Sequence, residues 1–334
     1  MRIIHHIEAI PGDEWERLLR ESSTGSFFQS RECYELFSSL PELFTPFCFA
    51  VEEEGKVKGI IVGYVQKDGG RVKRFFTRRA IISGGPLLSE DISEEALTGL
   101  LTACRKKLRS QAIYVESRNF EDYSRYKSVF ERCGFKYVPH LNFHIDTTSE
   151  EVVEEHLGKG RKRDIRTSFR DGAEIVENPS IEQVRAFYLL LKDLYKRKVK
   201  TPLYPFSFFE YLYGRDYSRF LLVSFNGKIV GGTVCVCQPG LAVYEWFACG
   251  EDGVYKTVYP STLATYAGIR YAARNGYRYF DMMGAGAPGE KYGVRDFKAK
   301  FGGRLVEHGR YLCVMHPLLY AIGKTGVKLL KKLG

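Results

Sequence analysis

An internal repeat in the order of elements limits this chain most. VEEEGKVKGIIVGYV (51–65) and VSFNGKIVGGTVCV (223–236) each read as two apolar strands about a tight turn, Glu54-Gly55 in one and Asn226-Gly227 in the other. Such a pair of turn residues between β-rich runs favours a hairpin. After each hairpin come another strand, a helix, and a further strand opened by Gly-aromatic, CGFKYV (133–138) and NGYRYF (275–280). That order predicts a tandem α/β protein, each copy a mixed, largely antiparallel sheet flanked by helices. The length of 334 residues suits two such cores better than one. The expected domains are residues 1–148 and 149–315, with 316–334 as a tail. Single strands are expected over Phe135 to Ile145 and over RLVEHGRYLCVM (304–315).

The same order disposes of a tempting motif. GAGAPG (284–289) spells G-x-G-x-x-G after a strand. A dinucleotide fold carries that loop after its first strand, with parallel strands still to come. Here about thirty residues read as one strand and a tail, so a bend that delivers the following segment is the better reading, and the glycines predict a flexible one. Eight cysteines and seven histidines show no CxxC and no HExxH; buried reduced thiols, a cytoplasmic setting and no metal are expected. No apolar run approaches the ~18 residues that span a bilayer. The net charge of +10 suits anionic partners.

Several fragments then align with one family. GSFFQS (25–30), GGPLL (84–88), RKRDIRTSFRDGAEI (161–175), VYEWFACG (243–250), YPSTLATYAGIRYAARNGYRYFDMMG (259–284) and VRDFKAKFGG (294–303) follow in one order over nearly the whole chain. Together they resemble the Fem peptidyltransferases (FemA, FemB, FemX) and their FemAB-like relatives. The resemblance implies two GNAT-like domains in tandem, with residues 316–334 as a helix packing back on the first. It implies aminoacyl transfer from aminoacyl-tRNA to an amine of a phosphorylated or lipid-linked peptidoglycan precursor. It implies no bound cofactor, the donor being a co-substrate, and a cytoplasmic site of action, at the inner membrane surface if the substrate is lipid-linked. Two departures stand out. Cell-wall members carry a phosphate-binding lysine eight residues beyond the QS glutamine, where this chain has Phe37, and KVKTPLYPF (198–206) lacks an expected arginine.

Acyl transfer to an amine needs a deprotonated nucleophile, alignment and an oxyanion site. No GxSxG motif is present, so no side-chain nucleophile is expected. Within the family match, Phe297 and Lys298 form the FK pair, with Lys298 expected near the oxyanion or the tRNA 3′ end; spacing alone reads Lys298 as solvated. Asp281, at the end of a strand, either holds the acceptor amine or caps the next turn. Arg163, Arg166 and Arg170 share one helical face and can hold phosphates. Of the aromatic residues Tyr244, Trp246, Phe247, Tyr255 and Tyr259, alternate ones face the core, leaving about two for a substrate groove. RVKRFFTRR (71–79) mixes aromatic and basic residues, and the tail PLLYAIGKTGVKLLKKLG (317–334) is basic and partly amphipathic, which suits peripheral membrane contact. Two alternatives stand beside the leading one. One is an acyl-CoA-dependent N-acyltransferase, although no [Q/R]-x-x-G-x-[G/A] loop is found. The other is a non-catalytic protein that binds nucleic acid or another anionic polymer.

Overall fold

Both hairpin turns form as their sequences require. Glu54 and Gly55 take φ of 52° and 76°, and Asn226 and Gly227 take 51° and 72°, the left-handed pairs that match strand twist in a two-residue turn. The computed structural model describes residues 1–67 and 76–333, so residues 71–75 of the basic-aromatic stretch lie outside it. The chain divides into two units, Met1–His140 with Glu307–Gly334, and Leu141–Val306.

The first unit runs β1 (Arg2–Ile4), α1 (Gly12–Glu21), α2 (Arg31–Ser38), β2 (Phe44–Glu53), β3 (Lys56–Gln66), β4 (Arg79–Gly84), β5 (Leu87–Leu88), α3 (Glu94–Leu108), β6 (Tyr114–Asn119), α4 (Lys127–Arg132) and β7 (Lys136–Val138). The second follows with β8 (Leu141–Asp146), α5 (Glu150–His156), α6 (Lys159–Arg170), β9 (Glu174–Val176) and α7 (Ile181–Leu194), which continues as a π-helical turn, Tyr195–Val199. It then has α8 (Phe206–Leu212), β10 (Ser218–Phe225), β11 (Lys228–Gln238), β12 (Ala242–Gly250), α9 (Pro260–Arg274), β13 (Tyr279–Gly284), α10 (Gly293–Ala299) and β14 (Arg304–Glu307). The chain ends in the first unit with β15 (Arg310–Val314) and α11 (Pro317–Leu333). The sheets run β1-β2-β3-β4-β6-β15-β7 and β14-β8-β13-β12-β11-β10-β9.

Each expected long strand near a boundary is two short ones. β7 and β15 lie in the first sheet, β8 and β14 in the second. The units therefore divide at 140/141 and 306/307, where the repeat suggested 148/149 and 315/316. The second break depends on Gly309. Its φ is 63°, and a Cβ there would run into the Tyr137 ring.

β3 shows why its sequence is continuously apolar from Gly59 to Val65. Ile61 and Val65 join the core that includes Leu97, Leu100 and Leu101 of α3, while Ile60 and Val62 join Trp15 and Leu18 of α1 on the other face. A sheet covered on both faces has no reason to alternate. In the first unit the Fem-like motifs meet one another. The buried Gln29 amide donates to the carbonyls of Thr24 (2.9 Å), Gly84 (3.1 Å) and Gly85 (3.1 Å), and the Tyr123 hydroxyl donates to Gly84 O at 2.9 Å. Phe37 is buried too, stacked on Tyr64 with centroids 3.9 Å apart. In α11, Tyr320 packs edge-on to Tyr114 at 5.2 Å.

Candidate active site in the second unit

The two units differ where strand, helix and parallel strand meet. In the first, β4 and β6 stay paired from Ala80↔Val115 to Gly84↔Asn119. In the second, β12 and β13 pair only over Ala242↔Tyr279, Val243↔Phe280 and Tyr244↔Asp281, although both strands run on. Two irregularities part them. Trp246 is the extra residue of a bulge in β12, between the pairs Cys235↔Glu245 and Val234↔Phe247, and a bulge bends its strand. In β13, pairing with β8 shifts between Asp281 and Gly284. There Met283 takes φ 59° and its amide donates to Asp281 Oδ1 at 2.6 Å.

A cavity of about 590 Å³ fills the opening. Its walls include Glu245 and Trp246 of β12, Thr265 of α9, Met282 of β13, and Phe297 and Lys298 of α10. Among the described residues no strand pairs with the β13 side of β12 beyond Tyr244, so its backbone polar groups can meet a bound molecule.

Glu245 is the group that reading the sequence missed. It is 7% exposed, and among the described residues its Oε1 has no hydrogen-bond partner. Burial pushes its carboxyl up to about 7; Lys298 and the Thr265 hydroxyl oppose the rise, and Asp281 adds to it. The signal was a lone acid in an otherwise apolar strand, VYEWF, where only the aromatic residues drew notice.

Lys298 is buried, not solvated. Its ammonium donates to the carbonyls of Met282, Met283 (3.4 Å) and Gly284 (3.0 Å). An ammonium has three donors, and all three are taken, so none is left for an oxyanion. Burial lowers its pKa, against the pull of Glu245 and Asp281. Asp281 is wholly buried and absent from the cavity wall; it caps the Met283 turn, with Asn142 Nδ2 at 3.5 Å and His144 Nε2 at 3.4 Å from Oδ2. Of its two expected roles, the turn cap is the one its contacts fit.

The arginines stand elsewhere. Arg163, Arg166 and Arg170 project on the exposed face of α6, with Arg163 paired to Asp164 and Arg170 to Asp171, and none lines the cavity. The inward member of that run is Arg161. Its guanidinium lies 4.4 Å from the Phe297 centroid and 5.0 Å from that of Phe301, and donates to Thr262 at 3.0 Å. The cations on the cavity margin are Arg197 and Lys198 of the π-helical turn, just ahead of the position where the sequence lacks an arginine. Among the aromatic residues, Trp246 lines the cavity, braced edge-on by Phe208 at 5.3 Å. Tyr244 and Phe247 are core, and Tyr259 precedes α9 with its amide on Ser168 Oγ at 3.0 Å.

The glycine loop is held rather than flexible. Arg295 donates to the carbonyls of Ala285 (2.9 Å), Ala287 and Glu290 (3.0 Å), and Leu141 N donates to Gly286 O at 2.9 Å. α10 begins only at Gly293, so the glycines do not open a helix as a nucleotide fingerprint would.

An antiparallel meander, a crossover helix and a parallel strand recur in both units and define a GNAT-type acyltransferase fold in tandem; in the second unit the parallel strand also parts from its neighbour over a cavity. Residues 159–298 match the family described as Acetyltransferase (GNAT) domain. The fold is similar to that of FemX, with a TM-score of 0.74 and 14% identity, covering 96% of this chain and 99% of that one. It is also similar to the C-terminal domain of a proposed lysylphosphatidylglycerol synthetase from Agrobacterium fabrum (TM-score 0.60, 15% identity, 95% and 96% covered). A tandem GNAT protein from the clavulanic acid biosynthesis pathway is a third (0.55, 11%, 94% and 98%). At these identities the likeness is one of fold, and the Fem resemblance holds at that level along the chain. No curated protein matches the sequence. No helix among the described residues is long and apolar enough to cross a membrane.

Proposed function

We propose that the protein is an N-acyltransferase that passes an aminoacyl group from aminoacyl-tRNA to a primary amine of a cell-wall precursor, or a related peptide or amino-sugar acceptor, in the splay of β12 and β13. The observation that carries this reading is Glu245, a buried carboxylate with a free oxygen facing the cavity and a pKa of about 7. A base so placed takes a proton from the acceptor ammonium near neutral pH. The freed amine nitrogen then attacks the acyl carbon of the ester. The carbonyl oxygen gains negative charge, which backbone N–H groups on the open side of β12 can stabilise. The tetrahedral adduct collapses to the amide as its nitrogen gives up a second proton, and the ester oxygen leaves as a hydroxyl carrying that proton, while Glu245 returns its own to solvent.

The choice of donor rests on the start of α9. Asp252 Oδ1 accepts the Ser261 amide at 3.0 Å, and Pro260 at the first helical position has no N–H to give. A carboxylate thus holds the place where a CoA diphosphate would need open donors, which supports a donor that sets no diphosphate there. Lys198 offers charge for a phosphate at the cavity margin instead, beside Arg197, which is paired with Asp193. Two of the folds it resembles, FemX and the lysylphosphatidylglycerol synthetase domain, fit the same reading, and the exposed Leu318 and Ile322 of α11 fit contact with a membrane surface.

The test is transfer of a labelled amino acid from charged tRNA to amine-bearing precursors. Ribonuclease should abolish it. Transfer that survives ribonuclease and needs acyl-CoA would overturn the donor, and anion binding with no transfer to any acceptor would overturn the enzyme reading.

A further inference from the structure

Two cations of α10 stand one turn apart and hold successive parts of one loop. Lys298 takes the carbonyls of Met282 to Gly284, and Arg295 those of Ala285, Ala287 and Glu290. The i, i+3 spacing puts both side chains on one helical face, so α10 fixes the whole segment that turns away from β12. We propose that Lys298 is a positioning residue of this site: its ammonium clamps the carbonyls that end β13, keeps β12 and β13 apart, and supplies the positive charge that faces Glu245. This inference rests on the reading of Glu245 as the base.

The surroundings leave Lys298 as the compensating charge. Glu245 from β12 and Asp281 from β13 are the carboxylates that act on it. Behind Asp281 stand His144 and Asn142 of β8. Cys235 of β11 sits opposite Glu245, Thr265 of α9 bonds its carboxyl, Asp193 and Arg197 pair with each other along one helix on the cavity wall, and Lys198, Glu251 and Asp252 also line that wall. In so dry a setting, losing one positive charge favours the protonated carboxyl strongly. Losing the clamp also leaves three carbonyls without their donor, that of Met282 in buried backbone where an unpaired group is costly.

The test compares Lys298→Met and Lys298→Arg with the unaltered protein. Carbon-13 NMR of glutamate carboxyls in the ligand-free protein follows Glu245, assigned through Glu245→Gln, while kcat/KM is measured against pH. In Lys298→Met the Glu245 titration should rise by about one pH unit or more. Its kcat/KM at pH 7 should fall at least about tenfold and recover in part at pH 9. Lys298→Arg, which keeps the charge, should leave the titration within about half a unit while lowering kcat. A Glu245 titration unmoved in folded Lys298→Met overturns the proposal. So does an equal loss in both variants at every pH, which would mean Lys298 touches the reacting atoms. If Lys298→Met does not fold, Lys298→Met/Glu245→Gln decides: a restored melting transition supports the pairing, and none overturns it. A shifted titration with full activity in Glu245→Gln would uphold the positioning role and sink Glu245 as the base.

Discussion

The Asp252 carboxylate accepts the amide of Ser261 at 3.0 Å, so the start of α9 is capped from within the chain. An anion at a helix start is favourable there and competes with any other anion for the same amides. Acetyl-CoA at millimolar concentration should therefore raise the melting temperature by less than about 1 °C, because weak binding adds little to stability. A shift of several degrees in calorimetry, reproduced by desulfo-CoA, would go against this.

Glu245 gives a stability prediction with a definite sign. Its folded pKa is about 7 against an ordinary 4.5, so between those values the unfolded chain releases the proton more readily. Stability is fully present below about pH 4.5 and is lost as pH rises to about 7, by a total on the order of 3 kcal/mol. Glu245→Gln should remove that loss, melting higher than the unaltered protein at pH 8, and should cut kcat at least about a hundredfold. A variant less stable at pH 8 would contradict the burial argument.

Arg161 lies outside the cavity wall and against Phe297, which is part of that wall. Replacing it by Met removes the cation from two rings and the bond to Thr262, and leaves Asp164 with Arg163 alone. A loss of about 1–3 kcal/mol is expected in urea unfolding. kcat/KM should fall about tenfold with its pH profile in place, unlike that of Lys298→Met. A displaced profile would show that Arg161 also tunes Glu245.

Gly309→Ala tests the second crossing between the units. The residue must keep a positive φ while its new Cβ meets Tyr137. A cost of about 2–4 kcal/mol is expected, read as a melting temperature lower by roughly 5–10 °C. Tyr137→Ala in the same background should return the part due to the clash, and no return would assign the whole cost to the backbone.

The apolar face of α11 gives the last prediction. Leu318 is 82% exposed and Ile322 55%. Flotation with vesicles rich in anionic lipid should bring the protein up, and Leu318→Glu/Ile322→Glu should reduce the bound fraction at least about fivefold. Equal flotation of both proteins would rule out this face as the contact.

Much of the architecture is legible in the residues because it is local. Glu54-Gly55 and Asn226-Gly227 name their turns by a left-handed preference that needs no neighbour. The repeated order of strand and helix then implies two like sheets, and the motifs from GSFFQS to FKAKFGG name the fold. The sequence even pointed to the right stretch, DMMGAGAPGEKYGVRDFKAKFGG, for one wall of the site.

What only the tertiary structure decided is where charges end up. Arg161 and Arg163 are two residues apart in one basic run, yet one lies against Phe297 and the other faces outward. Lys298 and Lys300 look alike in sequence, and only Lys298 finds three carbonyls. Glu245 meets an open cavity because β12 bulges at Trp246 and parts from β13 in the second unit, while β4 and β6 stay closed in the first. A turn or a hydrophobic period is set by neighbours along the chain. The ionisation of a buried group is set by the dielectric and the charges that distant segments bring to it, and those are fixed only when the sheets are built.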